Sequence, residues 1–409
     1  MTKPRDSIVV IGAGLAGLAC AHHLAAAGRA VIVLEAAGHP GGRVRTDTVE
    51  TEAGTHRIDR GFQVYLTAYP EGRRVLDTDA LDFKEFASGA MIRFDGAFHR
   101  LADPLRDPRT GLKQVLKPGP VMKLTDIAGV GLMDAALRFG DPDNAWQQPE
   151  ETSLAFLRRK GLSEQVIERF FRPFFGGVFL DRSLETSARK LQFTYAMFAK
   201  GAASVPANGM GEIPDQLAAA LIEAGVTVRT NTPAERIDRS PLAVHTDGGT
   251  INASAVVLAT DGSAAARLAK TSGIAGVHEP AWKRTVTLTF EANPVTINGK
   301  PLTDPILFLN GDGVDDDNPI NHAAIVSNIS PAYAPPGKAQ VCANIVAPAN
   351  MDRPAADLAS AAQTQLARWF GPQAESWTHI HTDDIRCALP SEDAPSLTNP
   401  QRSVTTTTP

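Results

Sequence analysis

Short apolar runs separated by polar or glycine-rich stretches characterise the first part of the chain. Residues 8–11 form a β-branched run of the kind that makes strands buried on both faces. A segment rich in Ala and Leu spans about residues 15–27 and predicts a helix that ends at Gly28. Residues 31–34 predict a second buried strand. The order strand, helix, strand indicates a parallel α/β unit at the start of the chain.

A similar pattern returns after residue 205. Apolar residues at helical spacing between residues 213 and 222 predict a helix that ends at Gly225, and residues 226–230 predict a strand. A hairpin that turns at residues 247–249 follows, and residues 256–259 predict another buried strand. We therefore expect this block to join the same parallel sheet as the first one.

Three glycines and one acid give the first unit a candidate function. Gly12 permits a tight turn, Gly14 lets a diphosphate approach the backbone, and Gly17 allows the helix to pack closely on the strand. The helix N-terminus directs free N–H groups and a positive dipole end at the phosphates. Glu35 ends the second strand and can accept hydrogen bonds from both hydroxyls of an adenosine ribose, whereas it would repel a 2′-phosphate. This order predicts a dinucleotide site, and the glycine spacing alone leaves FAD and NAD open.

Two further segments resemble a known family. The sequence GGRVRTD, residues 41–47, resembles the second flavin fingerprint of the amine oxidase and phytoene desaturase superfamily, which also includes protoporphyrinogen oxidase. In that family the arginine lies along the FAD diphosphate, a role that falls to Arg43 here. The sequence HRIDRGFQVY, residues 56–65, resembles the family segment that runs under the isoalloxazine ring. The resemblance therefore implies FAD as the cofactor.

The residues expected to contact FAD come from the glycine-rich turn, the ribose-binding acid, the second fingerprint, the flavin segment and the later block. They are Gly12, Ala13, Gly14, Ala16, Gly17, Glu35, Ala36, Gly42, Arg43, Asp59, Gly61, Phe62, Gln63 and Ala234. Ala234 occupies the position that touches adenine through the backbone in the family, which usually has valine there. No catalytic side chain is predicted, because the flavin itself accepts the hydride.

The resemblance also implies the fold and its division. We expect an α/β protein with a dinucleotide-binding, Rossmann-like FAD domain and an inserted α+β substrate domain. The FAD domain is expected to be discontinuous, built from residues 1–66, 206–270 and 381–409, because dinucleotide-type strands recur only in those blocks. Residues 67–205 and 271–380 are expected to form the substrate domain.

The end of the sequence departs from the family pattern. In the family a C-terminal Gly-Asp segment and a helix complete the flavin end of the site. Residues 386–390 resemble the approach to that segment, and the sequence then runs to the threonines at 405–408 without it. We therefore expect FAD to be held poorly by this sequence. Two classes of function stay open: an FAD-dependent oxidoreductase, and a truncated, non-catalytic remnant that binds the adenosine-diphosphate half of the cofactor.

The strand expected beneath the flavin bears on the substrate. Amine oxidases of the superfamily commonly have a lysine on that strand. In WKRTVTLTFEANP, residues 282–294, the position falls at Val286, with Lys283 and Arg284 displaced from it. This favours removal of hydride from a C–H bond of an apolar, isoprenoid-like small molecule, with a flavin amine oxidase as the alternative.

An aromatic cluster in ERFFRPFFGGVFL, residues 168–180, has two interpretations. Phe170, Phe171, Phe174 and Phe175 can line a substrate tunnel or membrane-facing mouth, or they can pack in a core. We favour core packing, because buried phenylalanines are common and tunnels are few.

Composition narrows the remaining choices. The net charge of −5 gives no reason to expect a nucleic-acid partner. Cys20, Cys342 and Cys387 are far apart, which favours free thiols in a reducing compartment. His379 and His381 have no carboxylate or cysteine at metal-ligand spacing, so we expect no metal. No segment has the unbroken apolar length of a membrane span. We expect a cytoplasmic protein, with peripheral membrane contact and oligomeric state left open.

Overall fold

The computed structural model describes residues 7–116, 119–346 and 352–394. The strands in this part of the chain are β1 (Ile8–Ile11), β2 (Val31–Leu34), β3 (Thr46–Thr51), β4 (Gly54–Asp59), β5 (Tyr65–Leu66), β6 (Lys84–Glu85), β7 (Ala90–Phe94), β8 (Ala97–Leu101), β9 (Ala203–Val205), β10 (Thr227–Arg229), β11 (Ala234–Arg239), β12 (Leu242–Thr246), β13 (Gly249–Asn252), β14 (Ala255–Leu258), β15 (Trp282–Ala292), β16 (Thr296–Ile297), β17 (Lys300–Pro301), β18 (Leu307–Asn310), β19 (Ile320–Ile325), β20 (Ala339–Ile345) and β21 (Thr378–Pro390).

The α-helices of the same described part are α1 (Leu15–Ala26), α2 (Gly72–Val75), α3 (Pro108–Leu116), α4 (Leu124–Phe139), α5 (Ser153–Arg159), α6 (Glu164–Val166), α7 (Arg172–Val178), α8 (Ala188–Lys200), α9 (Glu212–Glu223), α10 (Gly262–Thr271), α11 (Val326–Ile329) and α12 (Ala355–Phe370). A π-helical turn, Ile167–Phe171, joins α6 to α7. Short 3₁₀ segments lie at Pro142–Gln147, Pro331–Tyr333 and Pro372–Ser376.

A four-stranded parallel sheet holds the start of the chain, in the order β10-β2-β1-β14. Ile8 pairs with both Val31 and Ala255, so β1 is a central strand. All four residues of β1 are buried, as its continuous apolar run requires. The observed β14 lies one residue earlier than the predicted strand 256–259 and in the predicted sheet. The expected α/β fold with a dinucleotide-binding domain is therefore confirmed.

Helices α1 and α9 pack together on this sheet. Leu18 of α1 and Leu217 and Leu221 of α9 share a core cluster with Val10 and Val33 of the sheet. Helix α1 ends where Gly28 takes a positive φ of 72°, a backbone conformation that side chains disfavour. Both predicted helices are thus confirmed, with ends within a few residues of those expected.

A seven-stranded sheet forms the second layer, in the order β21-β15-β20-β19-β18-β7-β8. Its pairs are antiparallel except for β18 with β7. Strands β19 and β20 are buried at every position, and α12 covers one face with Leu366, Trp369 and Phe370. The opposite face of this sheet is therefore free to take part in a site.

The last described strand belongs to the seven-stranded sheet. Residues 381–390, which we expected in the FAD domain, lie in β21 and pair along β15, with Asp383 opposite Thr287. They lie on this sheet because β15 has a second edge whose backbone N–H and C=O groups need partners. Residues 395–409 of the same expected segment lie outside the described residues. These pairings do not test the division of the chain into two domains, which stays a prediction.

Asp59 joins three parts of the fold. Its Oδ1 accepts from the Thr46 hydroxyl at 2.5 Å and from the Met210 N–H at 2.9 Å. Its Oδ2 accepts from the Tyr333 hydroxyl at 2.5 Å. Burial raises the pKa of Asp59 to about 6, because loss of water outweighs the three hydrogen bonds that favour the carboxylate.

This pKa predicts a pH-dependent stability. Asp59 has a pKa near 3.9 when unfolded, so the folded state binds its proton more tightly. Its contribution to stability is present below pH 4 and is lost as the pH rises through about 6, by about 3 kcal/mol in total. Urea unfolding of wild type and Asp59→Asn between pH 4 and 8 measures it. We expect the difference in unfolding free energy between the two proteins to change across this range. A constant difference would contradict the prediction.

Candidate functional site

A cavity of about 2620 Å³ connects the glycine-rich turn with the free face of the seven-stranded sheet. Many of the predicted FAD contacts line it. They are Gly12, Gly14, Ala16, Glu35, Ala36, Gly42, Arg43, Gly61, Phe62, Gln63 and Ala234. Sequence segments separated by more than one hundred residues thus meet around one space.

Three predicted residues are not among those that line the cavity. Ala13 is fully buried, where its N–H donates to Glu35 and its carbonyl accepts from Gly41. Gly17 is buried against Gly12, which follows β1, and Ala259, which follows β14. The Asp59 carboxylate is taken up by the three donors described above. The expected contacts of these three residues with FAD stay a prediction.

The glycines of the turn differ in what surrounds them. Gly12 has a φ of +106°, and a Cβ there would lie 2.7 Å from the Ala259 carbonyl oxygen. A Cβ on Gly17 would lie 1.9 Å from the Gly12 carbonyl oxygen. A Cβ on Gly14 would have the Gly41 carbonyl oxygen, at 4.0 Å, as its nearest neighbour. Gly12 and Gly17 are thus required by packing, whereas Gly14 leaves open space on the cavity.

The start of α1 faces this open space. Gly14 is the N-cap residue, and no side chain accepts from the first N–H groups of the helix within the described residues. The second fingerprint closes over the turn, because Gly41 donates to the Ala13 carbonyl at 2.8 Å and forms a parallel bridge with Gly14. A helix N-terminus with free donors favours an anion, and the surrounding glycines let a phosphate approach closely.

Glu35 and Arg43 flank the same end of the cavity. The Glu35 carboxylate accepts from the N–H groups of Ala13 and Ala37, each at 2.8 Å. These bonds fix its orientation and leave a lone pair on each oxygen for a ribose hydroxyl. The Arg43 guanidinium donates to the Ala388 carbonyl at 2.7 Å and lies 5.7 Å from the Trp282 ring. The ribose and diphosphate roles stay predictions.

Residues 61–63 form the wall between the turn and the sheet. Gly61 has a φ of +81°, and its N–H donates to Asp383 at 3.1 Å. The Phe62 ring packs edge-on against His322, with centroids 4.8 Å apart. The Gln63 amide donates to the carbonyls of Arg43 and Arg60 at 2.8 and 2.7 Å. The two segments that carry the family resemblance are therefore tied directly to each other.

The register of β15 corrects the position assigned to Val286. Val286 is 2% exposed and belongs to the core cluster under α12, so its side chain faces away from the cavity. Thr285 lines the cavity, and Thr287 lies 3.8 Å from the position of a Cβ on Gly61. Alternate residues of a strand point to opposite faces, so the cavity-facing residues are the threonines. Neither is a lysine, so the absence of a lysine on this strand still favours an apolar substrate over an amine.

The phenylalanines of residues 168–180 pack in a core, and some of them also line the cavity. Phe171 and Phe175 are fully buried in a helical core cluster, as core packing predicts. Phe170 and Phe174 are partly buried, stack with centroids 5.5 Å apart, and line the cavity. Phe175 also contributes to the lining. Core packing, which we favoured, therefore holds for all four rings, and Phe170, Phe174 and Phe175 line the cavity in addition.

Sequence reasoning missed several polar residues that line the cavity from the sheet, among them Thr285, His322 and Asn344. These three lie on different strands and meet only through the strand register. No local motif marks them. Within the described ranges no group of three metal-ligating side chains occurs, and none of the helices there is long and apolar enough to cross a membrane.

Comparison with known proteins decides the family. A family model for flavin containing amine oxidoreductases matches residues 15–386. The chain belongs to this family. The 15-cis-phytoene desaturase of Capsicum annuum is 27% identical over 278 residues, which cover 63% of this chain and 47% of the desaturase. The chain therefore spans about half the length of this relative.

Solved structures confirm the fold of this flavin oxidoreductase family member. An oxidoreductase from Methanosarcina mazei matches with a TM-score of 0.70 at 17% identity, over 94% of this chain and 89% of its own. Cyclohexylamine oxidase from Brevibacterium oxydans matches with a TM-score of 0.64 at 18% identity, over 93% of this chain and 85% of its own. At these identities the likeness concerns the fold.

The family is flavin-containing, and the residues present fit FAD. A diphosphate fits the open space at Gly14 and the uncapped start of α1. An adenosine ribose fits beside it, at the oriented Glu35 carboxylate. When bound, FAD supplies the hydride acceptor.

Proposed function

We propose that this family member removes hydride from a C–H bond of an apolar, isoprenoid-like small molecule. The apolar end of the cavity carries this proposal. Beyond residues 61–63, the cavity is lined by large apolar side chains: Met122, Ile127, Val130, Phe170, Phe174, Phe193 and Phe198. Such a lining favours an apolar ligand. The relative from Capsicum annuum is named for phytoene, which supports the same class of substrate.

The charged groups at this end oppose an amine substrate. Asp103 and Asp134 line the cavity, and both accept from Arg138, at 2.7 and 2.9 Å. An ammonium group would have to compete with this guanidinium for either carboxylate. The strand expected beneath the flavin presents Thr285 and Thr287 in place of a lysine. A flavin amine oxidase is therefore the weaker candidate.

The test compares two classes of reductant. FAD-loaded protein is mixed without oxygen either with a panel of isoprenoid hydrocarbons or with cyclohexylamine and other primary amines. We expect the visible absorbance of the flavin to bleach with at least one isoprenoid and with no amine. Bleaching by amines alone would overturn the proposed substrate class.

Glu35→Gln should weaken FAD binding at least tenfold in an FAD titration, because a charged hydrogen bond contributes roughly 1.5–3 kcal/mol.

The non-catalytic alternative predicts a different preparation. A remnant that binds only the adenosine-diphosphate half would purify without visible flavin absorbance and would bind ADP as tightly as FAD. A yellow protein that binds FAD more tightly than ADP would exclude this alternative.

An exposed apolar surface supports peripheral membrane contact. Large apolar side chains at least 60% exposed are concentrated between residues 105 and 139: Leu105, Leu116, Leu124, Leu132 and Phe139. Leu105 and Phe139 also line the cavity, so an apolar substrate has a path from this surface. We expect Leu132→Glu to reduce co-sedimentation with phospholipid vesicles. Ile222→Glu changes a 59% exposed residue outside this surface and serves as the control. Equal loss in both variants would contradict the contact.

A further inference from the structure

A row of polar side chains crosses the cavity face of the seven-stranded sheet. His322 of β19 pairs with Asn344 of β20, Asn344 pairs with Thr287 of β15, and Thr287 pairs with Asp383 of β21. Directly paired residues point to the same face of a sheet. His322, Asn344 and Asp383 line the cavity, beside Gly61. The row therefore lies next to the segment that the family resemblance places under the flavin.

The surroundings of His322 fix its tautomer. Arg182 donates to the Asn321 Oδ1, so the Asn321 Nδ2 carries the two protons of that amide. The Nδ2 donates to the Pro173 carbonyl at 2.8 Å and lies 2.9 Å from the His322 Nδ1. The Nδ1 must then accept, and the ring proton is on Nε2. Burial and the nearby Arg182 lower the pKa of His322 to about 3, so the ring is neutral near pH 7.

Asn344 is oriented in the same manner. The Thr285 hydroxyl donates to the Ile345 carbonyl at 3.1 Å, so its oxygen is left to accept from Asn344. The Asn344 Nδ2 donates to the hydroxyl oxygens of Thr285 and Thr287, at 2.9 and 3.0 Å. Both protons of this amide are thus used, and its Oδ1 remains as an acceptor.

Two atoms of this row have no hydrogen-bond partner in the described part of the chain: the His322 Nε2 and the Asn344 Oδ1. The two residues are 5% and 2% exposed, so bulk water does not satisfy them. An unpaired buried donor beside an unpaired buried acceptor is costly unless something binds there.

We propose that His322 and Asn344 bind a hydroxyl group of the substrate, which is therefore an isoprenoid alcohol. A hydroxyl accepts from the His322 N–H and donates to the Asn344 Oδ1. A carboxylate would be repelled by the Asn344 Oδ1, and an ammonium, which has no acceptor, could not pair with the His322 N–H. This inference rests on the proposed function, because it adds one polar group to the apolar substrate.

The experiment measures binding rather than turnover. FAD-loaded protein is dialysed to equilibrium against farnesol and, separately, against farnesene, which is a hydrocarbon of the same carbon skeleton type. We expect wild type to bind farnesol roughly tenfold more tightly, as two net hydrogen bonds allow. His322→Phe keeps a ring and removes the donor, so the preference should disappear while farnesene affinity is unchanged. His322→Gln retains a donor and should restore part of the preference.

Tyr195→Phe is the matched control, because it also removes a polar group from the cavity lining, and the Tyr195 hydroxyl is hydrogen-bonded to Asp134 and not to this row. It should keep the full preference for farnesol. Equal binding of both ligands by wild type, or an unchanged preference in His322→Phe, would overturn the hydroxyl site and leave the apolar substrate standing. Failure of both ligands to bind would overturn the proposed substrate class and this inference with it.

Discussion

Gly17→Ala is expected to destabilise the fold strongly, whereas Gly14→Ala is expected to leave its stability nearly unchanged. A Cβ on Gly17 would lie 1.9 Å from the Gly12 carbonyl oxygen and 3.3 Å from the Ala259 Cβ. Overpacking typically costs about 1–3 kcal/mol, and a collision with backbone leaves less room to relax, so we expect roughly 3 kcal/mol or more. A Cβ on Gly14 meets its nearest neighbour at 4.0 Å.

The two positions should therefore separate folding from cofactor binding. Gly14→Val should unfold at nearly the wild-type temperature without FAD and bind FAD at least a hundredfold more weakly, a change of about 3 kcal/mol. Its side chain would occupy the space where a phosphate must approach the backbone. Thermal unfolding of the FAD-free proteins and FAD titration test both parts. Wild-type FAD affinity in Gly14→Val would show that no phosphate lies against this turn.

Phe171→Ala should destabilise the protein by about 3–5 kcal/mol, and Phe170→Ala by much less. Phe171 is fully buried and packs in the helical core cluster, so its removal leaves a cavity that the surrounding side chains cannot fill. Phe170 is partly buried and faces a cavity that already exists. Its removal enlarges that space.

Urea unfolding of the two variants gives the difference in stability directly. Phe170→Ala should instead weaken binding of apolar ligands such as farnesene, whereas Phe171→Ala should change ligand binding little at temperatures where it remains folded. Similar losses of stability in both variants would show that the two rings share one environment.

The elements that surround the cofactor end were predictable because their signals are local. Residues 8–11 are apolar throughout, and such a run has few stable places other than the centre of a parallel sheet. Gly12 and Gly17 are marked by spacing, and their surroundings show the steric reason for it. The hairpin between β12 and β13 was predicted from its turn residues and is confirmed.

The substrate end was less predictable because it depends on long-range register. Thr285, Val286 and Thr287 are successive residues, and only the pairing of β15 decides which of them faces the cavity. His322 and Asn344 are unremarkable in sequence and become neighbours through the pairing of β19 with β20. The sheet to which β21 belongs was equally hard to predict, because a strand pattern in the sequence does not indicate which other strand it pairs with.

The central position of β1 has a consequence for how the protein is made. Ile8 pairs with Ala255, so the first strand cannot gain its second neighbour until most of the chain has left the ribosome. At roughly 5–20 residues per second, the intervening stretch of about 245 residues takes on the order of 12–50 seconds to synthesise. During that interval the edge of β1 that later pairs with β14 has no partner strand. We therefore expect nascent chains that stop before β14 to be captured by chaperones, and release to coincide with its synthesis.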